Sequence, residues 1–198
     1  MNTSNSNPAN STEVLPSKTH EKVVYSTGCF FELTKWLIVA IIILTMVHFY
    51  IVTIFIVDGV SMEPNFHTNE IVVANRWQYL FGSPARYDAV TIKFPGDPEH
   101  KKYIKRIIGL PGDKISIFNN VVSVNGRPIA EPYLAPSTIT EPDLSRVLLK
   151  DEYFLMGDNR ENSSDSRIWG VANKRHLIGK AAFILWPIAN FGSLPTYK

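Results

Sequence analysis

Cys29 is the only cysteine in the chain, so no intramolecular disulfide and no cysteine-based zinc centre can form. The five histidines, His20, His48, His67, His100 and His176, are scattered with no pair at metal-ligand spacing, which argues against a zinc hydrolase. A strong charge of either sign is missing too. The net charge is +2 with no Lys/Arg block, too little to imply a nucleic-acid partner. No helical period of useful length occurs outside one apolar stretch near the N-terminus, and the later run Gly179–Pro187 is too short to be a second membrane span. With 198 residues, of which roughly 140 follow that stretch, there is room for one globular domain.

The apolar stretch is Trp36–Val57, WLIVAIIILTMVHFYIVTIFIV, which contains no formally charged side chain. At about 1.5 Å per residue a helix of that length matches a hydrocarbon core of ~30 Å, so the run reads as a transmembrane helix over 36–57. It is longer than the apolar core of a cleaved secretory signal and starts too far into the chain. Lys18, Lys22 and Lys35 precede it, whereas no Lys or Arg occurs from Asp58 to Asn75. That bias predicts a single pass through the cell membrane with a cytoplasmic N-terminus and an extracytoplasmic domain. Residues 1–35 read as a largely disordered tail, because 1–20 are rich in Asn, Ser and Thr and nearly free of large apolar groups.

Beyond the span, short apolar runs separated by turn residues predict strands: Ile71–Ala74, Ala89–Phe94, Lys102–Ile108, Lys114–Phe118, Val121–Val124, Tyr153–Met156 and Gly179–Pro187. Asn119-Asn120 and Asn125-Gly126 read as hairpin turns, with Arg127–Ile129 as a return edge. Arg76–Phe81 places four large apolar side chains together, fitting either core or a membrane-surface contact. Glu131–Glu152, with three prolines and several acids, reads as a surface excursion. The expected fold is mainly β, an antiparallel sheet domain over 58–198 behind one N-terminal helix.

Ser61 stands immediately after the apolar run, in Asp58-Gly59-Val60-Ser61-Met62-Glu63-Pro64. A serine hydroxyl becomes a nucleophile only beside a base that removes its proton and donors that hold an oxyanion. His67 is near in sequence. Lys105 is the more interesting base, because it sits mid-strand between Ile104 and Ile107, where desolvation would lower its pKa and leave a neutral amine. Alternation along that strand puts Tyr103, Lys105 and Ile107 on one face and Ile104 and Arg106 on the other.

Three stretches together, Ser61-Met62-Glu63-Pro64, then Tyr103-Ile104-Lys105-Arg106 leading into Gly109-Leu110-Pro111-Gly112-Asp113, then Gly157-Asp158-Asn159-Arg160 through Ser163 to Asp165-Ser166-Arg167, closely resemble the bacterial type I signal peptidases. The resemblance covers roughly Trp36–Pro187. It implies a membrane-bound Ser/Lys serine endopeptidase that removes signal peptides after small-x-small sites through an acyl-enzyme, with no metal or organic cofactor. On that pattern Ser61 is the nucleophile and Lys105 the general base. Ser163 orients the lysine amine, Met62 packs the site, and Asp158, Asp165, Arg106 and Arg167 brace it through salt bridges. Some members carry a serine two residues before the nucleophile. This chain has Gly59 there, so the oxyanion hole is expected from the backbone N–H groups of Ser61 and Gly59. Apolar residues near Val57, Tyr103 and Ile104 are expected to line the substrate pockets. Gram-negative members insert a large β domain where this chain has only a hairpin and loop over 115–152. The implied partners are preprotein signal peptides, the lipid bilayer and the export machinery. The competing reading is a non-catalytic membrane-anchored β module that binds a partner through the Arg76–Phe81 patch.

Overall fold

The apolar run does not fold as one helix. The structure, a computed structural model, describes residues 18–94, 101–194 and 197. Helix α1 (Lys18–Met46) starts inside the segment expected to be a disordered tail; the rest of that expectation, 1–17, lies outside the described residues. The uncharged part of α1, Trp36–Met46, is followed by a π-helical turn (Val47–Ile51) and then by strand β1 (Val52–Ile56). The helix expected over 36–57 is therefore corrected at its C-terminal end. Val52, Thr53, Ile54 and Ile56 are β-branched, and they have a strand to pair with, whereas the apolar pattern alone does not separate a buried strand from a helix. Among the described residues no helix is long and apolar enough to cross a membrane. The chain divides into two units, Met1–Thr45 and Met46–Lys198.

All described strand pairs of the second unit are antiparallel. After β1 come β2 (Ile71–Asn75), helix α2 (Trp77–Phe81), β3 (Ala89–Lys93), β4 (Lys102–Gly109), β5 (Lys114–Phe118), β6 (Val121–Val124), β7 (Arg127–Pro128), β8 (Leu144–Val147), β9 (Glu152–Met156), helix α3 (Ser166–Trp169), β10 (Ala172–Asn173), β11 (Leu177–Trp186) and β12 (Gly192–Ser193). The larger sheet has the order β1-β2-β11-β3-β4-β9-β10, with β12 beside β11. The smaller, β7-β6-β5-β8, is the hairpin expected between 115 and 152, enlarged by β8. Both hairpin turns have positive φ at both central residues, 48° and 67° at Asn119-Asn120 and 53° and 77° at Asn125-Gly126. Asn and Gly tolerate that backbone best, which is why these dipeptides fix the register of the small sheet.

Three clusters of buried side chains lie on the sheets. One joins Phe55, Val57, Met62 and Phe66 to Val72, Ala74 and Ile104, and so ties the β1–β2 loop to β4. Helix α2 divides Arg76–Phe81: Tyr79 is buried, while Trp77, Leu80 and Phe81 are exposed.

Candidate active site

Alternation along β4 sends adjacent side chains to opposite faces, and the site is built on both. Lys105 faces the β1–β2 loop, where its Nζ lies 2.6 Å from Ser61 Oγ. Ser61 is held by its own main chain. Asn159 N–H donates to Ser61 O at 3.1 Å, and Asn159 Nδ2 donates to the preceding carbonyl, Val60 O, at 3.2 Å. Met62, with no exposed surface, anchors the next position in the apolar cluster. Gly59 has φ +97°, a left-handed conformation that a side chain would strain. Among the described residues neither Gly59 N–H nor Ser61 N–H donates to a protein acceptor.

Lys105 is 3% exposed. Burial lowers its pKa from 10.5 to about 8, against the raising pull of Asp165 and Asp158, while Arg167 adds to the lowering. Charge alone would have kept the amine protonated; desolvation wins. His67 is exposed and pairs instead with Glu70, 3.4 Å from Nδ1. The structure thus brings Ser61 to Lys105 and leaves His67 elsewhere.

On the other face of β4, Arg106 grips Asp158 with two parallel bonds, Nε to Oδ1 at 2.7 Å and Nη2 to Oδ2 at 2.5 Å. Its Nη1 donates to Tyr87 O at 2.8 Å, and the guanidinium stacks over the Tyr133 and Tyr197 rings at 4.2 and 5.2 Å. Asn65 Nδ2 completes the cage, donating to Asp158 Oδ2 and to Tyr133 O. Burial pushes the Asp158 carboxyl up while Arg106 pulls it down. Burial likewise works against the Arg106 charge, but its bonds to Asp158 outweigh this and raise its pKa. Since Asp158 precedes Asn159, this pair fixes the segment whose N–H holds Ser61.

A second fork is made by Arg167 and Asp165, two charges that act on Lys105. Arg167 Nε and Nη2 each donate to the Asp165 carboxylate at 2.8 Å, and Asp165 also accepts from Gly157 N–H at 2.9 Å. Burial acts to raise the Asp165 carboxyl, but the Arg167 bonds hold it below the ordinary carboxylate range. Ser163 Oγ is buried and makes no hydrogen bond of good geometry among the described residues, although its nearness to Asp165 helps lower that carboxyl. A Cβ at Gly157 would come within 2.2 Å of Ser163 Oγ and 2.4 Å of Ser61 O. Gly157→Ala is therefore expected to push Ser61 off Lys105 and to reduce activity about 10²-fold or more, in line with the penalty for ångström-scale misplacement. A turnover assay beside a thermal melt checks it.

The expected substrate residues separate. Tyr103 and Lys105 line a cavity of about 150 Å³ with Ile92, Phe94, Ser164 and Trp169. Val57 and Ile104 are instead buried in the apolar cluster under Ser61. A cavity of about 270 Å³ lies by Arg106, with neither Ser61 nor Lys105 in its walls. Sequence reasoning missed Asn65, Tyr133, Tyr197 and the Arg160 fork, in which Arg160 pairs with Glu131 and donates to Thr140 Oγ1 and Gly157 O. Arg160 stands in the Gly157–Arg160 motif, which gives it no role of its own, and nothing local marks the other three, whose partners are far away in sequence.

The chain as a whole has relatives among known proteins. Residues 30–186 match the family model described as signal peptidase, peptidase S26. The chain belongs to this signal peptidase family. It is 33% identical over 181 residues to a signal peptidase I of Bacillus amyloliquefaciens, covering 86% of this chain and 95% of that one. It is 34% identical over 180 residues to a signal peptidase IB of Staphylococcus aureus, covering 81% and 93%. A crystal structure of a signal peptidase I from Enterococcus faecalis aligns over 50% of this chain and 96% of its own, at 24% identity and a TM-score of 0.44. By its family the chain is a peptidase, and its own sheets are antiparallel.

Proposed function

We propose that this signal peptidase cleaves exported preproteins with Ser61 as nucleophile and Lys105 as general base. The observation that carries the reading is the 2.6 Å contact between Ser61 Oγ and a buried Lys105 Nζ whose pKa is lowered to about 8. At that separation a neutral amine accepts the hydroxyl proton as Ser61 Oγ attacks the scissile carbonyl carbon. The N–H groups of Ser61 and Gly59 receive the developing oxyanion. Lys105 passes its proton to the departing amine, leaving the signal peptide's carboxyl end esterified to Ser61. It then deprotonates a water that attacks the ester, and Ser61 recovers its proton. Ser163, Asp158, Asp165, Arg106, Arg167 and Met62 position the pair. Tyr103 and Lys105 share a cavity with Ile92, Phe94 and Trp169, where the proposed substrate side chain preceding the cut would sit, and cleavage after small-x-small sequences is part of the same proposal. Mass analysis of a preprotein incubated with the purified protein tests this. A single cut after such a sequence is expected, and intact preprotein or scattered cuts would sink the reading.

The anchor proposed is the helical part of the N-terminal region, from Phe30 to Ile51, with a cytoplasmic N-terminus. It joins the α1 residues from Phe30 to Met46 to the π-helical turn Val47–Ile51. Its two charged residues, Glu32 and Lys35, pair with each other at 2.7 Å. The large apolar side chains from Phe30 to Leu44 are exposed, as expected of a helix that faces lipid. A cysteine placed between Glu131 and Glu152 in a Cys29→Ser background should react with an impermeant thiol reagent in intact cells. Reaction only after lysis would reverse the orientation.

A further inference from the structure

Four cations gather at one end of the larger sheet, around a cavity that the catalytic chemistry does not use. Arg76 follows β2, Lys93 ends β3, Lys102 begins β4 and Arg175 precedes β11, and all four line one cavity of about 320 Å³. Among the described residues no carboxylate pairs with any of them. Four like charges with no carboxylate partner repel across a confined space, and a bound anion relieves that repulsion. The chain enters the domain at this same end, because Arg76 N–H donates to Ile51 O, at the close of the π-helical turn, at 2.8 Å. Leu80 also lines the cavity, and beside it Trp77 and Phe81 of α2 are exposed with their rings 4.5 Å apart. Aromatic side chains next to cations are the composition that suits the headgroup layer of a bilayer.

We propose that this cavity binds the phosphodiester headgroup of an anionic membrane phospholipid, with Trp77, Leu80 and Phe81 resting at the acyl-chain boundary. The charge selects the anion, and the adjoining apolar side chains select a lipid over a free phosphate. The entry of the chain at Ile51 brings this end of the sheet to the bilayer if the preceding helix is the anchor. The inference rests on that anchoring reading, which is tested separately by alkaline extraction of membranes.

The test uses the full chain purified in mixed micelles of phosphatidylglycerol and phosphatidylcholine, with retained lipid counted by native mass spectrometry. One phosphatidylglycerol is expected to be retained in preference to phosphatidylcholine. Arg76→Gln with Arg175→Gln should weaken that preference by roughly fivefold for each cation removed. A control double variant remote from the cavity, Lys114→Gln with Lys150→Gln, should keep it. Equal retention of the two lipids by the parent would overturn the proposal, as would an unchanged preference in the Arg76/Arg175 variant. Displacement of the lipid by an equal concentration of inorganic phosphate would overturn the choice of a lipid over a free anion. Release of the parent by alkaline extraction would refute the anchor alone, leaving the lipid count to be read by itself.

Discussion

Lys105→Met is expected to abolish preprotein cleavage, lowering kcat/KM by about 10³-fold or more, while leaving a fold at least as stable as the parent. Ser61→Ala should lose as much activity, and the double variant little more, because the two groups act as one unit. The stability half of this expectation follows from linkage. In the folded chain the Lys105 pKa is lowered to about 8 from an ordinary 10.5. The unfolded chain therefore binds the proton more readily, and stability rises with pH between those values. Below about pH 8 the buried charge costs on the order of 3 kcal/mol, and above 10.5 it costs nothing. Methionine keeps the packing of the stem without the amine, so its benefit should be largest below pH 8. Thermal melts at matched pH check this. A variant melting well below the parent at neutral pH would mean a charged, salt-bridged Lys105. His67→Ala, by contrast, should keep most activity, since His67 faces Glu70 and not Ser61.

The Arg106–Asp158 fork should behave in the opposite way. Arg106→Ala leaves a carboxylate with a side chain 0% exposed and only Asn65 donating to it from a neutral side chain. Removing one partner of a buried pair costs about 3–5 kcal/mol. For a domain of this size that lowers Tm by roughly 10 °C. Activity should fall with it, because Asp158 fixes Asn159, whose N–H holds Ser61 O. Asp158→Leu combined with Arg106→Met should recover much of the stability, since replacing both partners by apolar groups removes the stranded charge. It should not recover activity, as the Asn159 segment would have lost its tether. Equal loss of Tm in the single and double variants would show that the fork contributes packing alone.

The strands of the sheet were legible because their apolar runs are short and bounded by turn residues, and Asn119-Asn120 and Asn125-Gly126 identified their hairpins. The contact of Ser61 with Lys105 was foreseeable from three motifs taken together, although no local pattern brings residue 61 to residue 105. Strand β1 was hidden because Val52–Ile56 continues an uncharged run, and an apolar pattern without polar breaks carries no boundary. Helix α2 is barely more than one turn, too short for a period to emerge. Tyr133 and Tyr197 were missed for a different reason: each matters only through Arg106, a partner set by tertiary folding. Val57 and Ile104 were read as pocket walls because they flank the site in sequence, but their side chains point into the core beneath it.

The central claim, that a neutral Lys105 takes the Ser61 proton, is tested most directly by the pH dependence of kcat/KM. With the amine titrating at about 8, kcat/KM should rise roughly tenfold per pH unit below that point and level off above it, following one ionisation. A profile already level below pH 7, or one that turns near 6.5 and moves with His67→Ala, would contradict it.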